Sequence, residues 1–366
     1  MDPLAHTLAG ATLGETGLKR TTALGGLTLM IGANLPDIDG IAMLWGRDAG
    51  LMHRRGWTHG IVAMLVLPVL LAGVMHWIGK RRATTPESVP PNFKFLLLLS
   101  AISVWSHPFL DWLNQYGVRL LMPFSGAWFY GDALFIVDPW LWLMGGCSVA
   151  LAHSSNRKSG IAWLVLLCIA AAIVTQSKQA PAEAKMLWCI GAGLMVFLRF
   201  RSVRPNPRQV ALVATATIVL YIGTMLTGTR LATAQARRYL ESQGLAAEAL
   251  AAMPLPAQPF TRDVVARIGN QYHFFALRWA FSTHIKATHP PIPIGEKTAV
   301  VKAALAAPAI AGAANWLRYP AFEETTTDFG YRVTIRDVRY SRSGVSAIGV
   351  VSVDLNRKLE PIVYPD

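Results

Sequence analysis

The chain has 366 residues, 53% of them hydrophobic and only 15% charged, with a formal net charge of +13 and a mean hydropathy of +0.36. A soluble enzyme of this length does not need so apolar a composition, so the membrane class is the first expectation. The positive charge collects in loops beside apolar stretches, where anionic lipid headgroups sit, which argues for membrane lipids and against nucleic acid as partners.

In chain order, residues 3–16 are too short to span a bilayer alone, and 21–44 are interrupted by Asn34, Pro36, Asp37 and Asp39. Together they read as a helical hairpin with Lys19 and Arg20 at its tip. Asp2 before Pro3 fits an N-cap followed by proline at the first helical position, and Pro36 is expected to end the return helix near Asn34. Lys19 is the first basic residue, so the start lacks the basic region of a secretory signal and no cleavage is expected. Uninterrupted apolar stretches follow at 60–79, 134–152, 159–175, 184–200 and 209–227, each about long enough to cross a ~30 Å hydrocarbon layer as a helix.

Basic residues set the expected orientation. Lys80, Arg81, Arg82 and Lys94, then Arg157 and Lys158, then Arg199, Arg201, Arg204 and Arg208 follow alternate stretches, which assigns loops 80–94, 153–158 and 200–208 to the cytoplasm. Loops 113–133 and 176–183 carry only Arg119 and Lys178 as basic residues and belong on the other side, with everything after 227. Cys147, Cys168 and Cys189 all lie within apolar stretches, so neither a disulfide framework nor a thiolate metal motif is expected. The domain boundary is placed near 229: residues 1–229 form a membrane-embedded domain and 230–366 an extracytoplasmic α+β domain. The latter begins with a polar helix (230–252) and a Pro-rich run (254–259). Two antiparallel hairpins are expected, 261–268 with 272–280 about Gly269 and Asn270, and 331–340 with 345–354 about Ser341 to Gly344.

Ionisable residues at membrane depth are costly and mark functional sites. His6, Asp37, Asp39, His53, His59, His107 and Asp111 are seven potential ligands that the charge-derived topology brings to one side. His107 and Asp111, four apart, share a helical face, with Asn114 about a turn further on and Pro108 able to kink the helix. Each has a plain alternative, a bonded histidine or a capping aspartate, but mixed imidazole and carboxylate donors suit zinc, manganese or ferrous iron. Seven candidates exceed one tetrahedral shell, so two ions are admissible.

These residues carry a resemblance. His6 before Gly10, the run LPDID (Leu35 to Asp39), HRRGWTH (His53 to His59), HPFLDWLNQYG (His107 to Gly117), PFS at 123–125 and the pair Asp138, Pro139 are similar to the inner-membrane metal-dependent hydrolase family that includes a LexA-regulated inner-membrane protein, itself distantly similar to zinc-dependent phospholipase C. The resemblance implies a bacterial inner-membrane protein and a hydrolase acting on phosphoesters of lipids or lipid-linked molecules through metal-activated water. The seven residues above become the implied ligands, and His53, His107 and Asp111 are implied in catalysis. Arg54 and Arg55 are placed to neutralise a phosphate or, equally, to anchor a loop at the headgroups. Asn34, Thr58, Asn114, Asp132 and Asp138 are candidate outer partners. A metal or proton transporter and a scaffold with a structural metal are the alternatives.

Overall fold

The computed structural model describes residues 1–82, 90–200, 205–280, 282–342 and 348–362. Parts of two expected basic loops (83–89 and 201–204, with Arg201 and Arg204) and of the second hairpin turn (343–347) lie outside the described residues. The chain divides into two compact units, one of Met1–Ile38, Arg55–Leu231 and Met253–Arg262, the other of Asp39–Arg54, Ala232–Ala252 and Asp263–Asp366.

In the first unit, Asp2 caps helix α1 (Pro3–Glu15) by accepting from the Ala5 amide, with Pro3 opening the helix. The tip residues Lys19 and Arg20 form a short 3-10 turn, and the chain returns as α2 (Gly25–Gly32). A 3-10 segment, Leu35–Trp45, follows Asn34 and carries Asp37 in its first turn. Among the described residues, helices α4 (Ile61–Arg82), α5 (Phe93–Trp112), α7 (Arg157–Gln176) and α9 (Pro207–Ser242) are each long and apolar enough to cross a membrane, and up to six spans result if two bent helix pairs are counted. The expected stretch 134–152 is the 15-residue α6 (Pro139–His153), which at ~1.5 Å per residue is shorter than a ~30 Å hydrocarbon layer. The stretch 184–200 is α8 (Ala182–Phe200), which carries Glu183, Lys185 and Arg199 and is not among the four. Helix α5 is the span that the alternating loops require between 94 and 113.

Helices α4 and α5 pack through Leu71, Ala72, Met75, Leu96 and Val104. A second core gathers Met1, Leu110, Leu113, Leu134, Leu141, Ile222 and Met225. Backbones come close where small residues allow it: a Cβ on Gly10 would lie 2.5 Å from the Leu29 carbonyl oxygen, and one on Gly32 would lie 2.0 Å from Ser103 Oγ. Such small-residue contacts are the usual means of joining helices that lipid cannot drive together. The outward faces stay apolar, and only 6% of the α7 span is buried against protein.

The second unit contains α3 (Arg47–His53), α10 (Ala299–Leu305) and α11 (Ala311–Trp316), with Asp48 accepting from the amides of Gly312 (3.0 Å) and Ala313 (2.9 Å). Strands β1 (Ala249–Leu255), β2 (Gln258–Ile268), β3 (Gln271–Ala280) and β4 (Ser282–Pro293) form one sheet in sequence order, and β5 (Pro320–Thr327), β6 (Gly330–Asp337) and β7 (Val350–Asn356) form another. The hairpin expected about Gly269 is β2–β3, and the second is β6–β7, antiparallel from Gly330 opposite Asn356 to Arg336 opposite Val350. The expected polar helix 230–252 ends at Ser242. Gly244, at φ +71, lets the Leu245 amide turn back onto the Leu240 carbonyl, after which the chain enters β1. Of the Pro-rich 254–259 only Pro256 and Ala257, the latter at φ +56, form the tight turn between β1 and β2, and the rest is strand. Ala232, Ala236 and Leu240 pack on Val264, Ala266, Phe275 and Leu277 to make the core of this unit.

Candidate metal centre

Helix α5 presents His107 and Asp111 one turn apart on a fully buried face. His107 Nδ1 lies 2.6 Å from the Ala33 carbonyl oxygen at the end of α2. A carbonyl only accepts, so Nδ1 holds the proton and Nε2 keeps a lone pair, the arrangement that orients a ligand imidazole. His59 precedes α4 in a short turn, with its Nδ1 3.0 Å from Thr58 Oγ1. Asp37 enters from the 3-10 segment after Pro36, its amide bonded to the Asn34 carbonyl.

The Nε2 atoms of His59 and His107 stand 3.1 Å apart. Asp111 Oδ2 is 3.3 Å from His59 Nε2 and 3.6 Å from His107 Nε2, while Asp37 Oδ1 is 3.4 Å from His107 Nε2 and 3.8 Å from His59 Nε2. All four atoms lie within 4.8 Å of one another. Ligand bonds of 2.0–2.2 Å in a tetrahedral shell imply donor–donor edges of about 3.4 Å, so the spacing is that of one bound ion. The donor chemistry agrees: two imidazole nitrogens and two carboxylate oxygens converge, and neutral imidazoles bring lone pairs to a point already crowded with acceptors. Shared protons can relieve some of these contacts, whereas a central cation satisfies all four at once.

Asp111 is held from every side. His6, fully buried, places Nε2 3.2 Å from Asp111 Oδ1 and stacks its ring on His107 with centroids 3.7 Å apart. The Met1 amino group bonds the same oxygen. Arg55 brings Nε to 2.9 Å from Asp111 Oδ2 and donates from Nη1 to Asn114 Oδ1 (3.0 Å) and the Gly117 carbonyl (3.1 Å). Its backbone sits at φ +52, in the left-handed region that side chains rarely adopt. Arg55 is thus an internal clamp on a carboxylate of the candidate cluster.

Asp37, His59, His107 and Asp111 form the four-residue cluster, and His6 touches it through Asp111. Asp39, His53 and Arg54 belong to the second unit, where Arg54 Nη1 pairs with Asp39 Oδ1 at 3.1 Å and His53 is the exposed last residue of α3. Of the outer candidates, Thr58 and Asn114 make the contacts above, and Asn34 donates to Thr7 Oγ1 and the Met30 carbonyl. Asp132 sits at φ +48 with its carbonyl accepting from Thr229. Asp138 caps α6 through the amides of Trp140 and Leu141 and accepts from the Tyr221 hydroxyl at 2.9 Å. The Ala33 carbonyl, which fixes the His107 tautomer, is a backbone group and has no sequence signal.

Residues 1–181, which contain all four cluster residues, match the family model described as YdjM inner membrane protein. The chain is also similar to an uncharacterized protein, YfhP, of Bacillus subtilis (strain 168), at 25% identity over 179 residues, 46% of this chain and 51% of the relative. It therefore spans about half the length of the curated relative it matches. No solved structure matches.

Proposed function

We propose that this membrane protein is a metal-dependent hydrolase of phosphoesters borne by lipids or lipid-linked molecules. The convergence of Asp37, His59, His107 and Asp111 on one point carries the reading. Asp37, His59, His107 and Asp111 would hold a borderline divalent ion, zinc before manganese or iron, which when bound would supply Lewis acidity and bring the pKa of a water toward ~7. The protein's own residues do the rest: Ala33 and Thr58 aim the two imidazoles, while His6 and Arg55 hold Asp111 in register. Support for a lipid-borne substrate comes from the segments beside His59. The Arg119 amide bonds the Arg55 carbonyl and the Ile61 amide bonds the Leu120 carbonyl, so the loop at 119–124 lies along 55–61. Trp57, Leu121 and Phe124 are exposed there, an apolar rim fit for acyl chains. The choice of phosphoesters rests on a fold-level analogy, the distant similarity of the resembled hydrolase family to zinc-dependent phospholipase C.

The test is metal analysis of the purified full chain followed by turnover on phospholipids, lipid phosphates and soluble phosphoesters. Wild type should carry transition metal and hydrolyse at least one class, and His107→Ala and Asp111→Ala should lose both metal and turnover while remaining membrane-inserted. Folded, metal-loaded protein that hydrolyses nothing but moves metal across proteoliposomes is instead a transporter. Metal without hydrolysis or transport makes the site a structural staple.

A further inference from the structure

At the end of the first unit where Arg157, Lys158 and Arg199 gather, α6, α7 and α8 enclose a cavity of about 340 Å³. That is within the ~300–1,000 Å³ range of ligand pockets. Leu151, Trp163, Leu167 and Met195 make its walls apolar, and no acidic side chain lines it among the described residues. Polar groups sit at one end only: Ser154, Arg157 and Arg199. Ser154 is 4% exposed, and its Oγ and the Arg199 Nε are both buried without a hydrogen-bond partner. The α7 wall has almost no protein behind it, so the slot lies against lipid.

We propose that this cavity is a binding site for one anionic glycerophospholipid, an acyl chain lying in the slot and the phosphate held by Arg157 and Arg199 with a hydrogen bond donated by Ser154. An anionic headgroup supplies acceptors to the unsatisfied donors and neutralises two guanidiniums that lack a lining carboxylate. A zwitterionic headgroup carries its own cation to the same place and gains less. A soluble phosphate leaves the apolar walls unfilled. The charge rule puts this end at the cytoplasmic leaflet, where anionic lipid attracts basic residues. The site is separate from the metal cluster and does not depend on hydrolysis.

The experiment titrates the purified full chain in nonionic micelles with dioleoyl phosphatidylglycerol, dioleoyl phosphatidylcholine or glycerol phosphate. The thermal midpoint is followed, and native mass spectrometry counts retained lipid. Phosphatidylglycerol should raise the midpoint and leave one lipid bound, with the other two giving little. Arg157→Gln with Arg199→Gln should weaken phosphatidylglycerol binding about thirtyfold, at ~1 kcal/mol for each guanidinium. Gly160→Leu, on the exposed helix α7, keeps both arginines but puts a side chain into the slot beside Arg199, whose Nη2 lies 3.6 Å from the added Cβ, so it too should lose the bound lipid. The proposal is overturned if phosphatidylcholine stabilises equally, if glycerol phosphate reproduces the shift, or if the double arginine variant binds as wild type. A two-chain mass without lipid that Gly160→Leu converts to one chain would give the slot to a second copy and also overturn it.

Discussion

Arg54 and Arg55 are neighbours of the same type with opposite fates. Arg55 is 3% exposed and bonded to Asp111, Asn114 and Gly117, whereas Arg54 makes a partly exposed pair with Asp39. Removing one partner of a fully buried pair leaves a charge stranded and costs about 3–5 kcal/mol, whereas the Arg54 side chain, 18% exposed against 4% for Arg55, still reaches water beside Asp39. Arg55→Ala should therefore destabilise the protein strongly and Arg54→Ala less, as read from denaturant titrations in mixed micelles. Arg55→Lys should behave nearly as badly, because an ammonium cannot reach three acceptors from one fork. Equal losses for Arg54→Ala and Arg55→Ala would show that Arg55 is no clamp. At this scale the sequence exposes much of the cluster: His107 and Asp111 share a helical face by spacing alone, and His59 closes a histidine-framed run. It cannot separate Asp37 from Asp39, two residues apart in one turn, because which of them points inward depends on a tertiary contact. Nor can it show that Arg55 faces inward, since a basic run beside a span reads equally as a headgroup anchor.

Helix α2 shapes the candidate metal centre through its backbone. Its last residue, Gly32, lies against Ser103 of α5, and the next carbonyl, that of Ala33, holds His107. Gly32→Ala must push α2 from α5, at an overpacking cost of about 1–3 kcal/mol, and carries the Ala33 carbonyl away from Nδ1. Losing such an outer contact weakens metal binding about tenfold or more. Adding Ser103→Ala removes the hydroxyl that clashes and should restore much of the affinity, measured by competition with a chelator. Gly73→Ala and Gly223→Ala, where an added Cβ meets nothing within 4 Å, should bind metal as wild type. If Gly32→Ala also binds normally, the carbonyl does not govern the imidazole. The apolar runs at 60–79, 159–175 and 209–227 declare their helices, since an uninterrupted run needs no tertiary information. Helix α5 is apolar enough on average to cross a membrane, but Ser100, Ser103, His107 and Asp111 on its buried face break the uninterrupted apolar run that announces the others. Gly269 and Gly330 turn at positive φ and mark the starts or ends of strands, whereas β1, β4 and β5 lack such punctuation on one side and the Ala- and Pro-rich sequence around them disguises alternation.

Membrane topology is a property of the whole chain. Segment 39–54 and the C-terminal helices touch through Asp48 and the amides of Gly312 and Ala313, and two pieces that pack together must occupy the same side of a bilayer. The charge rule independently assigns the opposite side to 153–158. With the three native cysteines replaced by alanine, Leu44→Cys and Phe329→Cys, both at exposed positions, should react with a membrane-impermeant thiol reagent from outside the cell, and Arg157→Cys only after the membrane is opened. Labelling of the first two from opposite sides would break the packing argument, and labelling of Arg157→Cys from outside would invert the orientation. The Asp48 contact also makes assembly wait on translation. Its partner amide lies 264 residues later, and at a synthesis rate of ~5–20 residues per second that partner is made tens of seconds after Asp48 leaves the ribosome. During that interval the early segment has no docking surface, so chaperones and membrane proteases meet it exposed, and a slowed or prematurely stopped ribosome would leave the N-terminal helices inserted but unfinished.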